Sequence, residues 1–334
     1  MEVALKAARF HAWGGEEHLS IDDIPEPTPG RGEVAVDVVC SSVNPVDIKI
    51  RAGSHRLLLG WRLPHGTGLD FSGVVATVGA GVTALKVGDR VWGSPHHSCP
   101  GTAMERTVVS ANDVSTMPAG WTFAQAAAMP LVGLTALQCL DRAGLRSSER
   151  CLVHGASGAV GQVAVQLALS RGATVIGTCS TSRSRAVEDL GARAIDRRGD
   201  WMAEVGQADV VVVAADVDHD ELTRRARRGT RVVTIVADLP ELVAERGAWI
   251  GTLLAGVHMA GWSVRAAMRG VRFHHVLKRG SAADLDRLRT EAESGRLTIG
   301  IDSELPLSAI REAHARQAEG PRGKVIVRVR PEPA

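Results

Sequence analysis

The segment Cys151-Leu-Val-His-Gly-Ala-Ser-Gly-Ala-Val-Gly161 decides the fold prediction. It begins with a short apolar run typical of a buried strand, and the residues that follow, Gln162–Ser170, have the pattern of a helix. In a strand, glycine turn and helix arranged in this order, backbone N–H groups can approach a pyrophosphate, and the helix N-terminus adds partial positive charge. The GxxGxxG spacing differs from the commoner GxGxxG and is a weak motif alone. Whether this motif indicates a cofactor site therefore depends on the strands and helices that surround it.

Strands and helices alternate on the carboxyl side of this turn. The next predicted strand is Thr174–Thr178. Asp209–Ala214 and Arg231–Val236 follow, both rich in Val and suited to a sheet buried on both faces, and helical patterns separate the strands. Alternation of this kind predicts an α/β fold with a doubly wound parallel sheet. We assign this cofactor-binding domain to residues 123–279.

The two ends of the chain have a different pattern. Short strands joined by Gly/Pro turns dominate the first third, among them Val34–Val39, Phe71–Val78 and Glu105–Val109. After two predicted helices near the end, Lys324–Val329 has the pattern of a last strand. We therefore predict a β-rich domain made of residues 1–122 and 280–334, which the cofactor-binding domain interrupts.

Composition excludes several classes of function. The net charge of the 334 residues is only +2, which gives no electrostatic argument for nucleic acid. The five cysteines include no CxxC pair, so a disulfide scaffold is not expected. The N-terminal residues lack the apolar core of a signal peptide, and no segment suits membrane insertion, so the expected location is cytoplasmic. Tyrosine is absent, which rules out a phenol as proton donor.

The end of the second predicted strand bears on the choice of cofactor. NAD sites usually place an acid there for the ribose 2′-hydroxyl, whereas Cys179-Ser-Thr-Ser-Arg-Ser-Arg185 contains none. A hydroxyl at Ser180 and guanidinium groups at Arg183 and Arg197 suit a 2′-phosphate instead. These residues favour NADPH over NADH. The alternative is that the arginines only form the solvated start of a helix and bind no phosphate.

At this point the chain resembles the zinc-free quinone oxidoreductase family of the medium-chain dehydrogenase/reductase superfamily. The resemblance covers nearly the whole chain in the family's order. Its motifs are Ser42-Val-Asn-Pro-Val-Asp-Ile-Lys-Ile-Arg-Ala-Gly53, Gly68-Leu-Asp-Phe-Ser-Gly73, Val87-Gly-Asp-Arg-Val91, Pro130-Leu-Val-Gly-Leu-Thr-Ala136, the glycine turn and Gly323-Lys-Val-Ile-Val327. It implies a GroES-like β-rich catalytic domain, a Rossmann domain, a cleft between them for nicotinamide and substrate, and a homodimer.

The resemblance also implies a set of cofactor-binding positions. The set is Asn44, Val132, Thr135, Gly155, Ala156, Ser157, Gly158, Ala159, Val160, Gly161, Ser180, Arg183, Arg197, Ile235 and Lys324.

Zinc ligands are missing where zinc-dependent relatives carry them. Those relatives have Cys where this chain has Asn44 and His where it has Leu69, and neither replacement is a good zinc ligand. The short segment after the Gly-Asp-Arg-Val turn offers His96, His97 and Cys99 but no fourth ligand of similar kind. We therefore expect no metal, and without a Lewis acid alcohol oxidation loses its usual mechanism.

Two residues are candidates for stabilising an acceptor. If hydride passes from NADPH to a quinone or to the β-carbon of an enone, negative charge develops on the acceptor oxygen and needs a donor. Asn44 is the first candidate, and Lys49, where several quinone reductases have Tyr, is the second, with a surface lysine as its alternative. Asp47 is expected to hold a loop. Trp61 and Trp92 offer flat rings for a planar acceptor, or else core packing.

Other functions stay open at this stage. An enone or enoyl-thioester reductase would share the fold and cofactor, and an NADPH-binding protein with little turnover would belong to another class. A zinc alcohol dehydrogenase is a more distant alternative. The stretch between Val236 and Val271 is longer than is usual in the family. Its apolar part, from Trp249 to Trp262, would cover the mouth of the substrate site or form part of a dimer surface.

Overall fold

The computed structural model describes residues 4–60, 62–96 and 99–333. Two residues named above, Trp61 and His97, therefore lie outside the described residues. The chain divides into two compact units. Unit 1 contains the residues up to Leu134, then Arg279–Gly295 and the chain from Ile299 onward, and unit 2 contains Thr135–Lys278 and Arg296–Thr298.

The strands are β1 (Ala4–Phe10), β2 (Leu19–Pro25), β3 (Glu33–Val43), β4 (His65–Gly66), β5 (Phe71–Val78), β6 (Arg90–Gly93), β7 (Arg106–Ser110), β8 (Val114–Thr116), β9 (Arg150–His154), β10 (Thr174–Cys179), β11 (Arg193–Asp196), β12 (Val210–Val213), β13 (Arg231–Thr234), β14 (Arg272–His275), β15 (Ile301–Pro306) and β16 (Lys324–Arg328). The α-helices are α1 (Pro45–Arg51), α2 (Arg56–Leu59), α3 (Phe123–Ala128), α4 (Pro130–Ala143), α5 (Ala159–Ser170), α6 (Ser184–Glu188), α7 (Met202–Val205), α8 (His219–Arg225), α9 (Leu239–Arg246), α10 (Ala248–Met268), α11 (Ala282–Glu293) and α12 (Ile310–Ala318). Short 3-10 helices cover Glu16–His18, Ala111–Asp113, Thr181–Arg183 and Leu307–Ala309.

Unit 1 is built on two largely antiparallel sheets. The larger has the strand order β15-β16-β3-β5-β6-β8, with β7 paired to β3, and the smaller has the order β2-β1-β4. Valines alternate along β3 and pack with Phe71 and Val75 of β5 in one buried cluster. The last strand, β16, pairs with β3 in antiparallel register, so the C-terminal segment completes the sheet that the N-terminal segment begins.

The cofactor-binding domain predicted from the sequence begins earlier in the chain than unit 2 does. We predicted it from residue 123, whereas unit 2 starts at Thr135. The reason lies in α3, whose side chains are almost all buried and which packs on β3, β5 and β16 of unit 1. Ser72 on β5 also donates a hydrogen bond of 2.6 Å to the Phe123 carbonyl.

The described part of unit 2 contains a parallel six-stranded sheet with the order β11-β10-β9-β12-β13-β14. The order reverses between β9 and β12, and ligands of such sheets bind at the carboxyl ends of the strands where the order reverses. All four residues of β12 are valines buried on both faces. The predicted α/β fold, a GroES-like β-rich domain with a doubly wound Rossmann domain, is confirmed.

Helix α5 begins three residues before the predicted start at Gln162. Gly158 is the N-cap, with the extended backbone angles φ −77° and ψ 163° that allow the helix to begin at Ala159. The last two glycine positions of the motif therefore belong to the helix start rather than to the turn. Among the residues that the structure describes, no helix combines the length and apolar character needed to cross a bilayer.

Candidate active site

The glycine turn of unit 2 has the close backbone packing that its sequence predicts. Gly155 has φ +83°, which side-chain-bearing residues rarely adopt, and a Cβ there would lie 2.8 Å from that of Ala215. A Cβ at Gly161 would lie 2.1 Å from the Gly155 carbonyl oxygen. The strand end and the helix start can therefore approach each other only with glycine at both positions.

The N-terminus of α5 fits a pyrophosphate. No side chain caps the helix at Gly158, and the first N–H that bonds back to the Gly158 carbonyl is that of Gln162, at 2.8 Å. The N–H groups of Ala159, Val160 and Gly161 precede it, and helix geometry gives them no acceptor four residues back. A Cβ at Gly158 would meet only the Gly155 carbonyl oxygen, at 3.4 Å, so there is open space beside the N-cap of this helix. Backbone donors and open space together suit an anion.

His154 supports the turn from its strand. Its Nε2 lies 3.1 Å from the Asp216 carbonyl oxygen, which can only accept, so Nε2 carries the proton. Its Nδ1 then accepts from Thr178 Oγ1, at 2.8 Å, and Thr178 Oγ1 in turn accepts from the Gly155 N–H. The ring also stacks on Trp201, with 4.2 Å between centroids. Burial lowers the pKa of this imidazole, which agrees with a structural role rather than proton donation.

The other predicted cofactor positions of unit 2 follow neighbouring strands. Ser180 follows β10, Arg197 follows β11, and Ile235 follows β13. Since these strands are parallel, all three lie at the carboxyl edge that also holds the glycine turn. Arg183 ends the 3-10 helix after β10 and is half-buried, while Arg197 is exposed.

One acid at this edge was not predicted. Asp196 is the last residue of β11 and pairs with Cys179 in the parallel register. Its carboxylate accepts from the Thr181 hydroxyl, and from the Arg198 backbone N–H at 2.9 Å. These hydrogen bonds hold the pKa of Asp196 below its usual value, with smaller contributions from Arg198 and Arg197. An acid does therefore lie beside the end of the second strand, but Thr181 already binds it.

In unit 1, Asn44 belongs to a buried ionic network. Its side-chain Nδ2 donates to Asp70 Oδ2 at 2.9 Å, and its Oδ1 accepts from the Lys324 ammonium. Lys324 Nζ also lies 3.3 Å from Asp70 Oδ2. All three side chains are at most 3% exposed, so water does not screen their charges. The predicted residues Asn44 and Lys324 are thus neighbours, joined by an aspartate that was not predicted.

Asp70 has further partners in unit 1. Its Oδ1 accepts from the Leu131 N–H at 2.6 Å, and its Oδ2 also accepts from the Ser42 hydroxyl at 2.8 Å. Its backbone carbonyl accepts from Ser41 and Thr102. A carboxylate with several donors and an ammonium is the arrangement that makes a buried charge tolerable. The only sequence signal was an acid within an otherwise apolar and small-residue segment, Gly68–Gly73.

Among the remaining predicted residues, one side chain is exposed and the others are buried. Lys49 is exposed on α1, whereas Asp47 of the same helix is buried. Asp47 forms a capping box with Asn44, because its Oδ2 accepts from the Asn44 backbone N–H at 2.7 Å. Val132 and Thr135 are both buried on α4.

Asp47 is expected to make stability depend on pH. Burial raises the pKa of its carboxyl from 3.8 to about 7. Between those values the folded chain binds a proton that the unfolded chain releases, so the free energy of unfolding should fall as pH rises through this range. One pKa unit corresponds to about 1.4 kcal/mol, so the expected change is of the order of a few kcal/mol.

Urea unfolding at pH 5 and pH 8 measures this dependence. In Asp47→Asn, which keeps an oxygen to accept the Asn44 N–H, the difference between the two pH values should become much smaller. An unchanged difference would assign the pH dependence to other groups.

The structure shows the surroundings of Leu69, Cys99 and His96, the residues considered above as replacements for zinc ligands or as possible ligands. Leu69 is buried, and its carbonyl accepts from Ser94 Oγ at 2.6 Å. Cys99 is also buried, with Sγ 3.5 Å from the Gly101 carbonyl, while His96 is exposed. Residues 4–60, 62–96 and 99–333 contain no group of three His, Cys, Asp or Glu side chains placed to hold a metal ion. Trp92 packs in the core, edge-on to Trp121.

Comparison with known proteins agrees with both units. The family model "Alcohol dehydrogenase GroES-like domain" matches residues 30–138, and "Zinc-binding dehydrogenase" matches residues 190–327. The chain is 30% identical over 323 residues to mouse (Mus musculus) "NAD(P)H oxidoreductase RTN4IP1, mitochondrial", covering 89% of this chain and 82% of that protein. It is 31% identical over 335 residues to the "Chloroplast envelope quinone oxidoreductase homolog" of Arabidopsis thaliana, covering 97% and 98%.

A solved structure gives the same result. The quinone oxidoreductase from Coxiella burnetii superposes with a TM-score of 0.84 at 26% identity, covering 98% of this chain and 100% of that one. Its similarity extends over both units, as does that of the two relatives. The chain therefore belongs to the medium-chain dehydrogenase/reductase superfamily and is an NAD(P)H oxidoreductase of its quinone oxidoreductase branch.

Proposed function

We propose that this protein is a zinc-independent, NADPH-dependent oxidoreductase that passes hydride to a quinone or a similar electron-poor acceptor. The observation that carries the proposal is the contact between Asn44 Oδ1 and the Lys324 ammonium. Asn44 stands where zinc-dependent relatives have a cysteine ligand, and its oxygen is already bound to a buried cation. A zinc ion at this oxygen would compete with that ammonium and would be repelled by its charge.

NADPH, when bound, supplies the hydride. In unit 2 the N–H groups at the start of α5 would hold its pyrophosphate, and Ser180, Arg183 and Arg197 would hold its 2′-phosphate. These groups orient the cofactor and carry no proton in the reaction.

In unit 1, Asn44 and Lys49 would act on the acceptor. Negative charge on an acceptor oxygen is stabilised by fixed donors, and the bonds to Lys324 and Asp70 fix the orientation of the Asn44 amide. Lys49 carries an exposed ammonium five residues along the chain from Asn44, and no phenol is present to replace it as a donor. A quinone needs little further activation, because its carbonyls already make it electron-poor.

Comparing acceptors tests the proposal. NADPH oxidation should be measured in the presence of EDTA with a small para-quinone and with an α,β-unsaturated ketone, and NADH should serve as the cofactor control. Turnover with the quinone and a preference for NADPH are expected. Turnover with the enone alone would make the protein an alkene reductase. Tight NADPH binding without turnover of either acceptor would instead support a binding protein, and loss of activity with EDTA would reject the metal-free mechanism.

Arg183 is expected to select NADPH over NADH. Replacing Arg183 with alanine should raise the Kd for NADPH about tenfold or more and leave that for NADH nearly unchanged, because a charge-assisted contact to phosphate contributes about 1.5–3 kcal/mol. Fluorescence titration with both cofactors measures the effect.

Arg185→Ala is the matched control for this experiment. Arg185 lies two residues further along and is paired with Asp189 at 2.8 Å, so its loss should affect neither cofactor. Equal weakening of NADPH and NADH by Arg183→Ala would remove Arg183 from the 2′-phosphate site.

The proposal includes a cytoplasmic location and a homodimer, which the resemblance to quinone oxidoreductases implies.

A further inference from the structure

Helix α10 has two apolar faces. Its inner face packs on the buried cluster of unit 2 through Ala255, Trp262 and Ala266. A second set of apolar side chains is between 57% and 79% exposed. We call this set the outer face: Trp249, Ile250, Leu253, Val257, Val264 and Met268. A helix that is apolar on all sides is normally buried on all sides, whereas none of the residues that the structure describes covers the outer face.

The outer face is a defined surface rather than a scatter of exposed residues. At about 100° per residue, its six side chains fall within an arc of about 100° on the side opposite the inner face. Polar residues lie between the two faces along both edges, together with the half-buried Leu254 and Met259. Thr252 and Ser263 lie along one edge, and His258 and Arg265 lie along the other. Arg265 is bound to Asp220 at 2.6 Å and His258 to Asp238 at 3.1 Å, which fixes the second edge.

We propose that the outer face binds the same face of a second copy of this chain, with the two α10 helices antiparallel across a twofold axis. This inference deepens the homodimer of the proposed function by naming the surface that forms it. In a twofold interface, a residue that contacts a second residue is contacted by it in return. The sequence of α10 has this self-complementarity. With the axis between His258 and Met259, the opposed pairs are Trp249 with Met268, Ile250 with Ala267, Leu253 with Val264, and Val257 with Ala260.

These pairs suit close packing. Near the axis Val257 faces the small Ala260, and Gly256 beside them has no atom within 4 Å of the position of a Cβ, which lets a second helix approach. At the ends of the interface the indole of Trp249 would meet the thioether of Met268, a favourable contact between sulfur and an aromatic ring. Large residues therefore oppose small ones where the helices are closest.

The area also suits a dimer. The outer face exposes roughly 700 Å² of apolar side chain, taking about 100 Å² for each aliphatic residue and about 200 Å² for tryptophan. A standard protein interface buries about 800 Å² on each partner. The outer face alone approaches that value.

A lipid surface fits the outer face less well. Helices that lie on membranes have polar faces rich in Lys and Arg, which contact anionic headgroups. Along one edge of the outer face the polar residues, Thr252 and Ser263, are uncharged, and along the other the charge of Arg265 is neutralised by Asp220. The chemistry of the edges therefore favours protein over membrane.

Measuring the mass in solution tests the proposal. At micromolar concentration the wild-type protein should sediment at twice the 35.3 kDa of one chain. Leu253→Glu should raise the dimer dissociation constant at least about 100-fold, because its carboxylate would be buried without a partner. Ser263→Glu places the same charge on the polar edge of the same helix and should leave the dimer intact. Circular dichroism should show that both variants fold, since Leu253 is exposed in the single chain.

Crosslinking tests the register. In the double variant Val257→Cys/Ala260→Cys, mild oxidation should join two chains. The five native cysteines are buried and give little background. The single variant Ser263→Cys should stay uncrosslinked.

Three results would overturn the proposal. They are a monomeric wild-type protein, a dimer that Leu253→Glu does not weaken, and a monomer that binds vesicles through Trp249, which would assign the face to a lipid surface. These experiments measure molecular mass and not turnover, so their outcome does not depend on whether the oxidoreductase proposal is correct.

Discussion

Replacing Asp70 with alanine is expected to lower the free energy of unfolding by about 3–5 kcal/mol, which is the usual cost of removing one partner of a buried ion pair. The Lys324 ammonium would remain buried without its counter-ion, since the carboxylate 3.3 Å away is lost. The Ser42 hydroxyl, the Asn44 amide and the Leu131 N–H would each lose an acceptor. Urea unfolding measures the loss.

A double variant separates the charge from the packing. Asp70→Asn/Lys324→Met removes both charges and keeps an oxygen at residue 70 for the neighbouring donors. It should be clearly more stable than Asp70→Ala. Lys324→Met alone should cost less than Asp70→Ala, because Asp70 would keep its hydrogen bonds from Ser42, Asn44 and Leu131. If the effects of Asp70→Asn and Lys324→Met, each measured alone, simply add in the double variant, the charges of Asp70 and Lys324 are not energetically coupled.

Replacing Gly158 with aspartate should weaken NADPH binding by roughly 100-fold or more while leaving the fold as stable as before. Aspartate is at least as good an N-cap as glycine, and a Cβ at this position makes only an ordinary contact with the Gly155 carbonyl oxygen. The new carboxylate, however, would accept from the N–H groups at the start of α5 and would repel a pyrophosphate. Losing one or two charge-assisted hydrogen bonds of about 1.5–3 kcal/mol each accounts for the magnitude.

Gly158→Asn separates charge from volume in the same experiment. Asparagine caps helices about as well as aspartate and has nearly the same size, but it carries no charge. We expect it to weaken NADPH less than aspartate does. Calorimetric titration gives the two Kd values, and thermal unfolding checks the fold. Wild-type affinity in Gly158→Asp would mean that the pyrophosphate binds elsewhere.

The cofactor-binding unit could be predicted closely because its signals are local. A buried strand, a glycine turn and a helix follow one another between residues 150 and 170, and each depends on its own residues. The start of α5 was misplaced because its first residues include Gly161, a poor helix former on propensity. Its glycine is required by the approach to the Gly155 carbonyl, which the sequence pattern of one helix does not show.

The acid at the cofactor edge escaped prediction for a different reason. The segment that directly follows the second strand contains no acid. Asp196 ends the next strand in the chain, which the parallel sheet places beside Cys179. Because Asp196 lies at this edge, the choice between NADPH and NADH depends on whether Arg183 binds the 2′-phosphate, which Arg183→Ala tests.

The network around Asn44 could be predicted only in part. Asn44 and Lys324 were identified separately through the resemblance, but their mutual contact depends on residues that are 280 positions apart in the chain. Asp70, which joins them, has no motif of its own beyond an acid among apolar residues. Such networks are formed by the tertiary fold, and local patterns contain little information about them.

The interrupted course of unit 1 has a consequence for its synthesis on the ribosome. Asp70 is translated 254 residues before its ammonium partner, Lys324. At about 5–20 residues per second, roughly 10–40 seconds separate the end of the first segment of unit 1 from the arrival of Lys324. During that time the nascent N-terminal segment lacks both β16, which pairs with β3, and the charge that neutralises Asp70. All of unit 2 is translated in this interval, so unit 2 can fold before unit 1, whose segments lie on both sides of it in the chain.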